Sequence, residues 1–204
     1  MARKMKLDWL QPAVLTGSLI PFAVLAFRAF TGRLGANPIA TMLNQLGLLA
    51  LLFVFASLSC TSLKIVFGWK WTLKLRKTLG LLGFFTVLAH LLLYAVVDQQ
   101  LRLSVVLEDV LKRPFIAVGF GAFLLLLPLA LTSTKKALKR MGPKNWRRLH
   151  RLAYVIGILG VVHFYMRQKQ DTTEPIIYGF VLCWLLGVRL VYWWRQRRHA
   201  AQRP

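Results

Sequence analysis

Apolar residues run in six long blocks along this chain, separated by short polar stretches rich in Lys and Arg. The blocks fall at about 10–30, 45–65, 78–97, 114–132, 151–166 and 176–194. Each is near the roughly 20 residues that a helix needs to cross a bilayer. The fifth is short and borrows the amphipathic lead-in KNWRRLHRL, whose arginines can reach back to the interface. Pro21 and Pro128 fall inside the first and fourth blocks and predict kinks there. The pattern predicts an all-α, six-helix integral membrane bundle, one domain over residues 1–204. No connecting stretch is long enough for a separate soluble domain.

Composition agrees. Apolar residues make up 57% of the 204, and the mean hydropathy is +0.55, too high for an ordinary soluble domain. The N-terminal MARKMKLDWL and the apolar run after it resemble a signal peptide. No small-residue cleavage site follows, and five more apolar runs do, so the segment reads as an uncleaved first helix.

Charge sets the expected direction. The formal net charge is +22, from 28 Lys and Arg against 6 acids. Nucleic-acid binding is one reading of so basic a chain. Topology accounts for the charge better, because the basic residues sit between apolar runs. One set of loops holds Arg3, Lys4, Lys6, the cluster from Lys64 to Lys77, the run from Lys135 to Arg151, and Arg195, Arg197, Arg198 and Arg203. The alternate loops hold Arg28, Arg33, Arg102, Lys112, Arg113, Arg167 and Lys169, together with Asp98, Glu108, Asp109, Asp171 and Glu174. The positive-inside rule therefore predicts both termini in the cytoplasm. Trp9, Trp69, Trp71, Trp146, Trp193 and Trp194 fall at the same ends, as an interfacial belt would. Arg189, near the end of the sixth block, reads as a snorkelling residue.

Several chemistries are disfavoured. No Asp or Glu lies inside a block, which argues against a carboxylate proton relay, an ion-coupled transporter or a di-iron carboxylate site. Cys60 and Cys183 form no CxxC pair and read as packing residues. No dinucleotide fingerprint or P-loop occurs, so any nicotinamide chemistry must come from a partner.

What the blocks do contain is histidine. His90 and His163 lie deep in the third and fifth, each about the thirteenth residue in. Arg76 and His150 precede them by fourteen and thirteen residues, at the opposite edge, about 20 Å away along a helix. An imidazole in hydrocarbon is a candidate functional group, and facing histidines on bundle helices are a common way to hold haem iron. Arg76, Gly83 and His90 repeat every seven residues and share a face, drifting about 20° per heptad. His150 and His163 sit about 140° apart on an ideal helix, so either the fifth block starts irregularly or His150 enters from outside it. Gly80, Gly83, Gly157 and Gly160 suit either the approach of a flat macrocycle or close helix packing. Arg76 has no lone pair for iron and is better suited to a carboxylate partner. His199, in the basic tail, reads as an ordinary polar residue.

The segments TLGLLGFFTVLAHLLLY and TSTKKALKRMGPKNWRRLHRLAY, with its W-x-x-L-H-R-L-x-Y core, resemble the ferric-reductase-like transmembrane superfamily. The similarity spans nearly the whole chain, and within the superfamily it points to the haem-binding membrane subunits of bacterial methionine sulfoxide reductase systems. The resemblance implies a b-type cytochrome in the bacterial inner membrane, holding one or two haems, with FMN as an associated cofactor. It implies electrons arriving from quinol or a cytosolic flavin reductase, and leaving to a periplasmic molybdopterin enzyme that repairs oxidised proteins. Carried over, His90 and His163 match the outer haem ligands and His150 the inner one. The superfamily usually has histidine where this chain has Arg76. The flavin domain of the oxidase members has no counterpart here. A membrane cytochrome reducing ferric iron, quinone or another small substrate, and a non-redox membrane protein with structural histidines, stay open as alternatives.

Overall fold

The computed structural model describes residues 9–168 and 171–201. The charges assigned above to Arg3, Lys4, Lys6, Lys169 and Arg203, and the side chain of His199, lie outside this description. The described residues contain eight α-helices and no strand.

Helix α1 (Leu10–Phe30) runs on through Pro21. Helix α2 (Pro38–Phe67) has 30 residues and begins well before the predicted block. The early start has a local cause: Asn37 Oδ1 accepts from the Ala40 N–H at 3.1 Å, and Pro38 occupies the first turn. Gly68, at φ 71°, ends the helix in the left-handed conformation. A 3-10 turn (Lys70–Lys74) leads into α3 (Arg76–Leu92), which continues as a π-helical segment, Leu93–Asp98. Gln100 and Leu101 then take left-handed backbone, φ 53° and 59°, and turn the chain into α4 (Leu103–Lys112). Helices α5 (Pro114–Leu131), α6 (Lys135–Leu149), α7 (Leu152–Arg167) and α8 (Thr173–Ala201) follow.

Helix α4 is an addition to the predicted six, and α6 carries the predicted amphipathic lead-in to the fifth span back to Lys135 as a helix of its own. Both are amphipathic, and a search for unbroken apolar runs passes over such helices. Helix α4 exposes Leu103, Leu107 and Leu111 while Asp109 is buried. In α6 the basic residues Lys135, Lys136, Lys139, Arg140, Lys144, Arg147 and Arg148 are all exposed, and Gly142 at φ 75° with Pro143 breaks the middle. Among the described residues, five helices are long and apolar enough to cross a membrane alone. The sixth span requires α6 and α7 together, bent by 42° at their junction. Helix α7 alone has 16 residues, about 24 Å of rise, short of the roughly 30 Å hydrocarbon layer.

Helix α2 is the spine. Its Leu51, Phe55 and Leu58 bury against Leu182 and Leu185 of α8. Leu126 and Leu129 of α5 bury against Ile156 of α7, with Phe84 and Val87 of α3 packed on them. Leu25, Leu34 and Leu46 join α1 to α2. Large apolar side chains such as Leu19, Ile20, Phe180 and Leu190 point outward, as lipid-facing residues do.

Three residues depart from expectation. Arg189 turns inward: Nη2 donates to the Leu58 carbonyl, and the guanidinium lies 5.1 Å from the centre of the Tyr154 ring. The carbonyl and the π face thus take the place of the water that a snorkelling arginine would reach. Cys183 is exposed, unlike the buried Cys60. Trp146 faces the interior, whereas Trp9, Trp69, Trp193 and Trp194 are exposed, the last two with Arg197 and Arg198 stacked over them.

Candidate functional site

His90 and His163 come together. Their ring centres are 6.3 Å apart with planes nearly perpendicular, at 86°. His90 comes from α3 and His163 from α7, and each ring is tied to a different neighbouring helix. His90 Nδ1 lies 3.0 Å from the Leu43 carbonyl of α2, and His163 Nδ1 lies 2.6 Å from the Phe115 carbonyl of α5. A carbonyl oxygen only accepts, so both Nδ1 atoms must carry the proton. In the neutral ring this leaves Nε2 as a free lone pair. Two imidazoles so prepared can bind a metal centre from two sides.

A repeated local arrangement makes this possible. Gly47 lies one turn after Leu43, and Gly119 one turn after Phe115, on the face that offers the carbonyl. A Cβ at Gly119 would sit 2.7 Å from His163 Nδ1, and one at Gly47 would sit 3.4 Å from His90 Cε1. The missing side chains let each imidazole reach a helix carbonyl. Gly80, Gly83, Gly157 and Gly160, singled out from the sequence, mostly serve packing. A Cβ on them would meet Ser57, Val54, Leu182 or Leu51 at 3.1–3.4 Å. Gly47 and Gly119 were legible only as the spacings L-x-x-x-G and F-x-x-x-G, on helices that carry no histidine.

Both histidines line a cavity of about 320 Å³, enclosed by apolar side chains including Leu51, Phe123 and Leu126. Arg76 and His150 line a second cavity of about 470 Å³. The two cavities share Val54, Leu126 and Ile156 as walls, so they are stacked neighbours in the bundle. His150 lies at the α6–α7 junction, outside the regular α7 helix, which resolves the angular mismatch with His163. Its ring stacks on Trp146 at 3.7 Å, and Nε2 lies 3.2 Å from the Thr132 hydroxyl. Trp146 Nε1 donates to the Thr132 carbonyl at 2.9 Å, which fixes the stack. Among the described residues, no carboxylate lies within ion-pair distance of Arg76. No group of three or more His, Cys, Asp or Glu that could hold a bare metal ion occurs among them either.

A helical bundle with apolar outward faces, an imidazole pair across an internal cavity and a second cavity behind it defines a polytopic membrane protein built around two internal cavities. The family described as ferric reductase like transmembrane component matches residues 41–161, a stretch that holds Arg76, His90 and His150 and ends just short of His163. Among curated relatives, proteins named "Protein-methionine-sulfoxide reductase heme-binding subunit MsrQ" are similar along almost their full length. That of Herminiimonas arsenicoxydans is 40% identical over 94% of this chain and 89% of its own. That of Rhodospirillum rubrum is 42% identical over 91% and 89%, and that of Deinococcus radiodurans 42% over 95% and 96%. No solved structure matches. The chain belongs to the ferric-reductase-like transmembrane family and, within it, to the MsrQ group.

Proposed function

We propose that this chain is the haem-binding membrane subunit of a methionine sulfoxide reductase system, a b-type cytochrome of the bacterial inner membrane. The observation that carries the reading is the imidazole pair. Two metal–imidazole bonds of about 2.0 Å plus the ring radii add to roughly 6 Å, and the ring centres stand 6.3 Å apart. The cavity walls are largely apolar, as a porphyrin face requires, and Gly47 and Gly119 let the rings lie close against α2 and α5. The residues present fit the group.

Haem, when bound, supplies one-electron redox chemistry. The chain supplies the rest. His90 and His163 offer Nε2 from α3 and α7, while the Leu43 and Phe115 carbonyls fix tautomer and ring orientation and increase ligand basicity. The inner cavity is the place for a second haem. There His150 is the conventional ligand and Arg76 a carboxylate partner or weak assistant. FMN is a further cofactor by family resemblance.

The six-span topology, with both termini cytoplasmic and a single domain throughout, puts the basic face of α6 on the cytoplasmic side. Electrons enter there from quinol or a cytosolic flavin reductase. They leave on the far side to a periplasmic molybdopterin methionine sulfoxide reductase of the MsrP type. Steering of an acidic donor by α6 is the expected use of that face. A dithionite-reduced minus oxidised spectrum, with haem quantified per chain, tests the reading. A b-type spectrum at one or two haems per chain supports it. Absence of haem after expression with ample supply returns His90 and His163 to structural roles.

A further inference from the structure

The outer cavity is apolar along most of its walls and carries two guanidinium groups at one end. Arg167, the last residue of α7, lines it, as does Arg113, immediately before α5. Two acids lie nearby, and one of them is paired. Asp109, buried, accepts the Tyr94 hydroxyl at 2.6 Å through Oδ2 and Arg113 Nε at 2.9 Å through Oδ1. Asp98 also reaches this end, with one oxygen held by Gln99 Nε2 at 2.8 Å. Arg113 thus spends its Nε edge on Asp109 and keeps its two terminal nitrogens. Arg167 is half-buried and, among the described residues, has no carboxylate within ion-pair distance.

A half-buried guanidinium at the rim of an apolar cavity is costly without an anion. It is planar, permanently charged and shaped to grip a carboxylate with two parallel bonds. Arg167 ends the helix that carries His163, four residues on, and so lies about one helical turn from that ligand. We propose that Arg167, with the free edge of Arg113 as second donor, is the carboxylate anchor of the outer cavity, holding the propionate side chains of the macrocycle seated between His90 and His163. The proposal rests on the haem reading above and adds an orientation to it. The macrocycle's acidic edge faces the end at α4, and its apolar edge points inward toward Leu126 and Ile156. Tyr94 and Asp109 are the positioning residues, because they hold Arg113 and tie α4 to the end of α3.

The test is a cycle between side chain and ligand. Wild type and Arg167→Gln, as full-length chains in haem-deficient membranes, are each loaded with haem or with haem dimethyl ester, which lacks free carboxylates. The rate of transfer to excess apomyoglobin in detergent is then followed at the Soret band. We expect Arg167→Gln to lose haem about tenfold faster than wild type, the size of one charge-assisted contact. The dimethyl ester should leave both proteins at the same rate. The midpoint potential of the haem-loaded variant should also fall, since a positive charge near the iron favours the reduced state. Arg167→Lys, which keeps the charge but not the fork, should show intermediate haem loss. Equal rates for wild type and Arg167→Gln with haem overturn the proposal. So does an equal acceleration with both ligands, in Arg167→Gln or Arg167→Lys, because that marks a structural role. A wild type that takes up neither ligand overturns the haem reading itself, and is told apart by the missing Soret band.

Discussion

Gly119→Ala places one methyl group against the ring of His163. Its Cβ would lie 2.7 Å from Nδ1, 2.8 Å from Cε1 and 3.2 Å from Cγ. Ordinary contacts begin near 3.5 Å, so the ring must retreat by about 1 Å. It cannot do so freely, since Nδ1 is held to the Phe115 carbonyl one turn back on the same helix. Overpacking of this kind costs about 1–3 kcal/mol. Alanine returns about 0.5–1 kcal/mol through helix propensity, so the fold itself loses little. The loss falls on the ligand geometry, and a bound haem should be held roughly 5- to 150-fold less tightly. Gly47→Ala is the milder case, with 3.4 Å to His90 Cε1. Gly121→Ala, on the same helix with nothing within 4 Å, is the control and should be neutral or slightly stabilising. The assay is haem per purified chain together with the reduced spectrum and the thermal midpoint. The expected order of haem loss is Gly119→Ala, then Gly47→Ala, then Gly121→Ala. Full haem with an unshifted spectrum in Gly119→Ala would refute the assignment of His163 as a ligand held through Phe115.

Further outcomes follow from the same geometry. His90→Ala or His163→Ala should abolish the outer haem spectrum, whereas Arg76→Ala should leave it intact; an unchanged spectrum in His90→Ala sinks the assignment. Trp146→Phe removes the 2.9 Å bond to the Thr132 carbonyl and loosens the stack on His150. Any signal from the inner cavity should therefore broaden or shift in low-temperature spectra while the outer signal stays fixed. Thr72 is buried, and its hydroxyl contacts the Cys60 and Trp69 carbonyls at 2.8 and 2.7 Å. Thr72→Val should lower stability by about 1–3 kcal/mol in a detergent melt without altering the outer spectrum. Arg189→Met removes a guanidinium whose Nε and Nη1 are buried without partners, and should leave the melt unchanged or raised.

Hydropathy alone determined that this chain is helical and membrane-spanning, because hydrocarbon demands long apolar runs with their backbone bonds closed internally. Five of the six predicted blocks coincide with helices able to cross by themselves. The rarity of polar groups inside those runs also singled out His90 and His163, each conspicuous against so apolar a background, whereas Arg76 stood out only by its spacing from His90. Sequence periodicity did not reveal α4 or the first half of α6, before Gly142, whose one-sided patterns blend into polar loops; the second half was legible as the amphipathic lead-in to α7. Nor did it show that Trp146 leaves the interface to stack on His150, or that Arg189 turns inward. Spacing within one helix left His150 and His163 mismatched; the 42° bend between α6 and α7 removes the conflict by taking His150 off the helix. The glycines that matter, Gly47 and Gly119, stand on helices whose own sequences give no reason to notice them. Their role exists only where a second helix brings an imidazole against the missing side chain. Burial periodicity is a property of one helix against its solvent, and one strand of sequence records it. Which carbonyl orients which imidazole depends on pairs of helices tens of residues apart, and packing alone decides that.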